Sequence, residues 1–149
     1  MKVLKIIWKR LVSEGETCPR CSGTEEELGK AVFSLKESLS PLGLDVVFEK
    51  KELSVEEFKE SPLKSNIIII NDKSLENWIN GEVGESQCCD VCGTNDCRTT
   101  TVGGRTYEKI PSELVIKAGL IAASNMVGSE ESGPCCNEKS SVISNNSCC

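Results

Sequence analysis

The stretch TEEELGKAVFSLKESLSPLGLDVVF, at residues 24–48, decides the fold class of this chain. Apolar residues recur at helical spacing through most of it, until Pro41 and Gly43 stop the helix. Thr24, with Glu27 three residues later, has the pattern of a capping box at the helix start. The closing letters LDVVF form an apolar, β-prone run. The stretch therefore predicts one helix followed closely by one strand.

The flanking segments extend this unit into an α/β pattern. A short apolar run at residues 3–8 predicts a first strand, and the short connections then imply a parallel strand–helix–strand pair. The unbroken run IIII at residues 67–70 predicts a buried central strand. Ser54 and Ser74 each open a short helix on either side of that strand.

The second half of the chain adds a hairpin and a last helix. Gly103-Gly104 separates two β-prone runs and predicts a two-residue hairpin turn. Pro111 at a first helical position opens a final helix with one apolar side. The sequence thus predicts an α/β fold with a central mixed sheet of four to five strands and flanking helices.

Composition narrows the functional classes. The chain has 149 residues and a formal net charge of −6, which suits one acidic domain and argues against a binder of nucleic acid or membrane surfaces. Lys5, Lys9 and Arg10 interrupt the N-terminal apolar run, so we expect no secretory signal. No stretch approaches the roughly 18 apolar residues of a membrane span. These features predict a cytoplasmic protein.

Ten cysteines and no histidine make up the most informative part of the composition. In a reducing cytosol, cysteines more often serve metal or redox chemistry than structural disulfides. Without imidazole, any tight transition-metal site must consist mainly of thiolates, which select soft or borderline ions such as zinc, copper(I) or the iron of iron–sulfur clusters. The same softness favours trivalent arsenic and antimony. We expect no organic cofactor.

The order of the predicted elements is that of a thioredoxin-like fold, and four motifs strengthen this likeness. They are WKRLV at 8–12, TCPRC at 17–21, CCDVCG at 88–93 and YEKIP at 107–111. On these motifs the chain resembles an uncharacterised family of short thioredoxin-like proteins over about residues 1–123. We therefore predict a thioredoxin-like domain at 1–125, with a Cys-rich loop at about 82–98 and a flexible tail at 126–149.

Cys18 and Cys21 form a CxxC between the first strand and the first helix, where thioredoxin-like oxidoreductases carry their active site. The resemblance implies that Cys18 is the nucleophile and Cys21 the resolving thiol, and Arg20 between them would lower a thiol pKa. The sequence departs from the thioredoxin pattern in two places. A helix start at Thr24 would leave the pair before the helix, and Ser65-Asn66 occupy the place where thioredoxins carry a cis-proline.

The Cys18–Cys21 pair also has a metal interpretation. Cys18-Pro-Arg-Cys21 resembles a zinc-knuckle turn, and the CDVCG segment that contains Cys89 and Cys92 resembles a second one. Two such turns can form a closed, structural four-thiolate site. The sequence alone leaves the redox and metal interpretations of this pair open.

A compact cluster of cysteines follows later in the chain: Cys88, Cys89, Cys92 and Cys97. The first three can give three sulfurs to a pyramidal metalloid, and all four can hold zinc or an iron–sulfur cluster. Their spacing matches neither common zinc modules nor plant-type ferredoxins. A thiol-exchange relay with Cys18–Cys21 is a further alternative.

Two vicinal pairs end the chain: Cys135, Cys136, Cys148 and Cys149. This ending resembles the C-terminus of arsenical-resistance metallochaperones, and the resemblance implies transfer of trivalent arsenic or antimony. The polar, Gly/Ser-rich composition around these pairs predicts a flexible arm of thiolate ligands.

Three functional hypotheses follow. The first is binding, and possible transfer to a protein partner, of a soft metal or metalloid through Cys88, Cys89 and Cys92 with help from the tail. The second is a thiol–disulfide oxidoreductase that uses Cys18 and Cys21. The third makes the core cysteines a structural zinc or iron–sulfur site. The first is favoured because eight of the ten cysteines lie outside the oxidoreductase motif.

Overall fold

The computed structural model of the protein describes residues 2–12, 19–87 and 96–128. Of the predicted site residues, the side chains of Cys21 and Cys97 are within these ranges. The other predicted thiols and the Arg20 side chain lie outside the described residues: Cys18, Cys88, Cys89, Cys92, Cys135, Cys136, Cys148 and Cys149. Residues 129–149 of the tail predicted at 126–149 lie outside them as well.

Seven strands and four helices make up the described chain, with two short 3₁₀ helices at Ser40–Leu42 and Pro62–Lys64. In chain order they are β1 (Lys2–Leu11), α1 (Pro19–Leu39), β2 (Leu44–Leu53), α2 (Val55–Glu60), β3 (Ile67–Ile70), β4 (Lys73–Ser74), α3 (Leu75–Ile79), β5 (Glu82–Gln87), β6 (Asp96–Val102), β7 (Arg105–Tyr107) and α4 (Ser112–Gly128). Among these described residues no helix is both long and apolar enough to cross a lipid bilayer.

The first sheet is mixed and has four strands in the order β2-β1-β3-β4. β1 and β2 run parallel, joined by α1, whereas β3 is antiparallel to β1 and β4 is antiparallel to β3. This arrangement confirms the predicted parallel strand–helix–strand unit and the interior position of Ile67–Ile70. The core lies between this sheet and α1 and α4, and includes Leu4, Ile6, Trp8 and Leu35.

A second, antiparallel sheet has the strand order β5-β6-β7. Gly103 and Gly104 take positive φ angles of 59° and 80° between β6 and β7, which confirms the predicted hairpin turn. The prediction that residues 82–98 form a loop is wrong at both ends, because they include β5 and the first residues of β6. A Cβ atom at Gly84 of β5 would lie 2.8 Å from the Thr99 Oγ1 atom, so this glycine permits close pairing.

The start of α1 also differs from the prediction. The helix begins at Pro19 rather than at Thr24, which suits the preference of proline for the first helical turn. Thr24 is buried, and its Oγ1 accepts a hydrogen bond of 3.2 Å from the Ile110 N–H. Glu27 Oε2 accepts one of 2.9 Å from the Ser112 N–H at the start of α4. The predicted capping box is therefore wrong, since both of its side chains bind the segment that enters α4.

Other predicted boundaries hold. Gly43 follows α1 and its 3₁₀ turn with a positive φ of 72°, as expected of a C-terminal glycine. The Ser54 and Ser74 side chains accept hydrogen bonds from the N–H groups of Glu57 and Asn77, which confirms both short-helix caps. The predicted start of the flexible tail at residue 126, by contrast, is wrong, because α4 continues through Gly128.

Candidate functional site

Cys21 lies in the first turn of α1, immediately after the segment that follows β1. Its side chain is only 2% exposed, and its Sγ atom lies 4.0 Å from the Oγ atom of Ser65, a distance at which a hydroxyl and a sulfur can share a hydrogen bond. The early start of α1 therefore removes one of the two departures from the oxidoreductase pattern: the second cysteine of the CxxC is inside the helix.

Ser65 and Asn66 form the short segment that leads into β3. Ser65 is 1% exposed, its N–H donates to the Pro62 carbonyl at 3.1 Å, and its Oγ accepts from the Leu11 N–H at 3.0 Å. These bonds join the segment to the carboxyl end of β1. Ser65, at the expected cis-proline position, thus contacts both β1 and the helix that contains Cys21.

The Asn66 side chain forms further hydrogen bonds that hold the Ser65-Asn66 segment in place. Asn66 is buried and adopts a left-handed backbone with φ of 60°, a conformation that asparagine tolerates better than most residues. Its Oδ1 accepts from the Trp8 Nε1–H at 3.0 Å, and its Nδ2 donates to the Glu108 carbonyl at 3.4 Å. The amide group therefore fixes the position of Ser65 opposite the Cys21 sulfur.

Arg10 lies on β1, next to the Trp8 ring that binds Asn66. Its guanidinium carbon is 5.0 Å from the centroid of the Trp8 ring, and its side chain is 14% exposed. The Nη2 atom is 3.9 Å from the exposed Glu52 carboxylate, while Nε and Nη1 are buried and have no hydrogen-bond partner among the described residues. Such unpaired buried donors are rare and often mark a functional position.

The register of the sheet locates Arg10 along α1. Lys50 is paired with Trp8 across β1 and β2, and its ammonium group contacts Glu25 of α1. Arg10 lies two residues further along β1 on the same face, toward the end of α1 that contains Cys21. The Arg10 guanidinium, with the exposed Glu52 carboxylate as its counter-charge in the described chain, is therefore at the level of the first helical turn.

The second sheet adjoins the same site through Glu108. Its Oε1 accepts from the Ser86 hydroxyl at 3.2 Å, while its carbonyl accepts from Asn66. The next residue, Lys109, lies over Gly23, where a Cβ would be 2.5 Å from the lysine Cδ. Gly23 near the start of α1 and Ser86 near the end of β5 are thus connected through Glu108 and Lys109.

The ends of β5 and β6 flank the segment that contains three of the predicted metal ligands. Gln87 and Asp96 are paired across the two strands, so the backbone at both ends of residues 88–95 is held together. Cys97, predicted in a loop, lies instead on β6 opposite Ser86 and is buried. Across residues 2–12, 19–87 and 96–128, no three histidine, cysteine, aspartate or glutamate side chains converge as metal ligands.

Sequence reasoning missed Arg10 as a residue of this site, and it missed the contact between Ser65 and Cys21. The alternation along β1 places Trp8 and Arg10 on one face, and an arginine at the end of such an apolar face is a signal that the sequence did contain. The contact of Ser65 with Cys21 has no local signal, because the two residues are 44 positions apart.

Comparison with known proteins supports the family but names no activity. A family model described as a domain of unknown function, DUF2703, matches residues 4–119, from β1 into α4. An uncharacterized protein of Archaeoglobus fulgidus is 51% identical over 112 residues, which cover 75% of this chain and 82% of that protein. No solved structure matches the chain. The predicted membership of an uncharacterised family is thus confirmed, and the chain belongs to the DUF2703 family.

Proposed function

We propose that this protein is a thioredoxin-like thiol–disulfide oxidoreductase in which Cys18 is the nucleophile and Cys21 the resolving thiol. The observation that carries the proposal is the position of Cys21, buried in the first turn of α1 with its sulfur against the segment that enters β3. The order of elements supports the fold assignment: a parallel β1-α1-β2 unit is followed by antiparallel β3 and β4 and by the terminal α4.

The charges around Cys21 favour a thiolate. The N-terminal turn of a helix carries a partial positive charge, which lowers the pKa of cysteines placed there. Arg10 adds a guanidinium that lacks hydrogen-bond acceptors for two of its donor atoms in the described chain. Thiolates are the reactive form in disulfide exchange, so both features support redox chemistry at this end of α1.

The proposed reaction is a two-step exchange. The Cys18 thiolate attacks one sulfur of a substrate disulfide, that disulfide bond breaks, and the first substrate thiolate leaves and takes a proton. The Cys21 thiolate then attacks the Cys18 sulfur, and the mixed disulfide breaks to release the second substrate thiolate. Two electrons pass from the dithiol to the substrate, leaving a Cys18–Cys21 disulfide that a dithiol reductant returns to the starting state.

A single-turnover experiment tests this proposal. Pre-reduced protein is mixed anaerobically with bis(2-hydroxyethyl) disulfide, and the oxidised residues are mapped by mass spectrometry of its peptides. We expect a Cys18–Cys21 disulfide in the wild type, a trapped mixed disulfide on Cys18 in Cys21→Ser, and neither product in Cys18→Ser. The variant with Cys148→Ser and Cys149→Ser is the control and should react like the wild type. Unchanged substrate reduction in Cys18→Ser would contradict the proposal.

A second function, binding of a soft metal or metalloid, is supported by the β5–β6 pairing. Gln87 and Asp96 are paired across β5 and β6, so the segment that contains Cys88, Cys89 and Cys92 begins and ends at neighbouring residues. Closing the ends of a segment reduces the entropy lost when its thiolates converge on one ion. Three thiolates suit trivalent arsenic or antimony, and the resemblance of the tail to arsenical-resistance metallochaperones favours the same ions over zinc, copper(I) or an iron–sulfur cluster.

Titration with arsenite and with zinc tests this second function. We expect the wild type to bind one arsenite tightly, with loss of three titratable thiols, and the triple variant Cys88→Ser, Cys89→Ser and Cys92→Ser to lose this binding. Cys18→Ser should bind arsenite like the wild type, because the two functions use different thiols. Arsenite binding that depends on Cys18 and survives the triple substitution would contradict this assignment.

A further inference from the structure

We propose that Ser65 is a positioning residue for the resolving step: its hydroxyl donates a hydrogen bond to the Cys21 sulfur and stabilises the thiolate that attacks Cys18. This inference rests on the proposed oxidoreductase function and assigns a role to a residue outside the CxxC motif. Ser65 neither accepts a proton nor bonds covalently with substrate, so its effect is exerted through Cys21.

Either atom can donate while Cys21 is a thiol, but a Cys21 thiolate has no proton and can only accept, so the Ser65 hydroxyl is the donor in the ionised state. The Leu11 N–H donates to Oγ at 3.0 Å and occupies an acceptor position of the hydroxyl. A hydroxyl keeps one O–H donor besides its acceptor positions. The Cys21 Sγ, 4.0 Å from the same oxygen, is the acceptor that the described contacts offer to this donor.

The hydroxyl is held in place by the backbone around it. The Ser65 N–H donates a hydrogen bond to the Pro62 carbonyl at 3.1 Å. The side chain of the adjacent Asn66 is hydrogen-bonded to both Trp8 and Glu108. Ser65 and Cys21 are 1% and 2% exposed, so bulk water competes little for this contact. A donor fixed in a poorly solvated site stabilises developing negative charge without first having to reorient.

The hydrogen bond acts on the ionisation of Cys21. A hydroxyl donates a stronger hydrogen bond to an anionic thiolate than to a neutral thiol or a disulfide sulfur. As Cys21 ionises and its proton passes to the departing substrate sulfur, the Ser65 hydroxyl therefore lowers the free energy of the Cys21 thiolate that attacks Cys18. Ser65 keeps its own proton throughout, so atoms and electrons balance as in the two-step exchange.

The test measures the two steps separately. In the Cys21→Ser background, the rate of mixed-disulfide formation on Cys18 reports the first step, and it should be the same with and without Ser65→Ala. In the otherwise wild-type protein, rapid acid quenching and mass spectrometry report the decay of the mixed disulfide. We expect Ser65→Ala to slow this decay about threefold to tenfold at pH 7. The pH profile of the decay should also move to higher pH.

Threonine and valine at position 65 form a matched pair, because they have similar shapes and only threonine carries a hydroxyl. Ser65→Thr should resolve the mixed disulfide at close to the wild-type rate, and Ser65→Val should show the slow, pH-shifted decay. This pair keeps the test available if Ser65→Ala does not fold, since the comparison is made between two variants of equal bulk. The stability of each variant is measured by urea unfolding.

The outcomes separate this inference from the function on which it rests. If the wild type forms no mixed disulfide on Cys18, the oxidoreductase proposal fails and the role of Ser65 fails with it. If the wild type completes both steps but the variants without the hydroxyl resolve at the wild-type rate and pH, only the role of Ser65 is overturned. Equal slowing of both steps with an unchanged pH profile would indicate a structural role and would also overturn it.

Discussion

Arg10 and Arg98 are both largely buried, but the groups around them differ. The Arg98 side chain is 7% exposed, and its Nε and Nη2 atoms donate to the two carboxylate oxygens of Glu76 at 3.2 and 2.9 Å. Its Nη1 donates to the Leu63 carbonyl at 2.9 Å, and Thr100 Oγ1 donates to the same carboxylate at 2.6 Å. At Arg10, Nε and Nη1 have no such partner among the described residues.

Arg98 is thus fully bound within the fold, whereas Arg10 keeps two donor atoms without a partner in the described chain. Glu76 lies on α3 and Arg98 on β6, so their ion pair fastens the second sheet to the helix that follows the first sheet. Arg10 has only the exposed Glu52 carboxylate as a counter-charge in the described chain, and it lies at the level of the helical turn that contains Cys21. Buried donor atoms that a fold leaves without hydrogen-bond partners are costly, and they are often found at functional sites.

The largest expected effect on stability comes from removing Arg98 from its ion pair with Glu76. Arg98→Met removes the guanidinium and leaves the Glu76 carboxylate buried without a counter-charge, which should cost about 3–5 kcal/mol of unfolding free energy. Urea unfolding at pH 7 measures this loss. The double variant Glu76→Leu with Arg98→Met should recover much of it, because no charge is then left buried. A loss below about 1 kcal/mol in the single variant would contradict a structural role for the pair.

A smaller effect is expected from acidification of the same pair. Burial raises the pKa of Glu76, but hydrogen bonds from Arg98 and Thr100 and the charge of Arg98 together hold that pKa below its usual 4.5. A carboxyl whose pKa is lower in the folded state stabilises the protein above the unfolded pKa and loses this contribution as pH falls through the folded one. Stability should therefore fall below about pH 4.5.

Urea unfolding between pH 7 and pH 3 in wild type and Glu76→Gln measures this contribution. The glutamine variant should be less stable at pH 7 and show a weaker decline on acidification, because Glu76 no longer titrates. Glu27 contributes to the decline in both proteins, since its hydrogen bonds with Ser112 and Lys30 also lower its pKa. Identical pH dependence in the two proteins would show that Glu76 does not contribute.

The smallest effect is expected at Arg10, two of whose donor atoms have no hydrogen-bond partner in the described chain. Arg10→Gln should change stability by less than about 1 kcal/mol, since few partners are lost. It should lower the rate at which iodoacetamide modifies the CxxC thiols at pH 7 by about twofold to fivefold, because less thiolate is present. Lys51→Gln, an exposed charge removed from the neighbouring strand, is the control and should leave the rate unchanged. Equal rates in Arg10→Gln and wild type would show that this charge does not act on the pair.

The sequence predicts some parts of the candidate site well. The CxxC is visible directly, and the position of Ser65-Asn66 before the buried Ile67–Ile70 strand follows from counting along the predicted elements. The start of α1 is mispredicted because Thr24 and Glu27 match a local capping pattern. Their hydrogen bonds instead join residues 86 and 85 positions away.

The β5 strand is missed for a related reason. Its sequence EVGESQ is polar and contains glycine, so it has no strand signal of its own. Pairing with β6 along its whole length, from Glu82 with Thr101 to Gln87 with Asp96, makes it a strand. The same pairing moves Cys97 from a predicted loop to a buried strand position.

The sequence by itself determined the features that depend on neighbouring residues. These are the helical periodicity of α1, the end of its following 3₁₀ turn at Gly43, the Ser54 and Ser74 caps and the Gly103-Gly104 turn. Composition also made thiols the chemically distinctive groups, with ten cysteines and no histidine. Spacing and residue type suffice here because the interactions act within about one turn of chain.

Tertiary structure alone decided which distant groups meet. It set the Ser65 hydroxyl against Cys21, paired Arg98 with Glu76 and left two Arg10 donor atoms without a partner in the described chain. These outcomes depend on strand register and on packing between segments far apart in sequence, which no local pattern encodes.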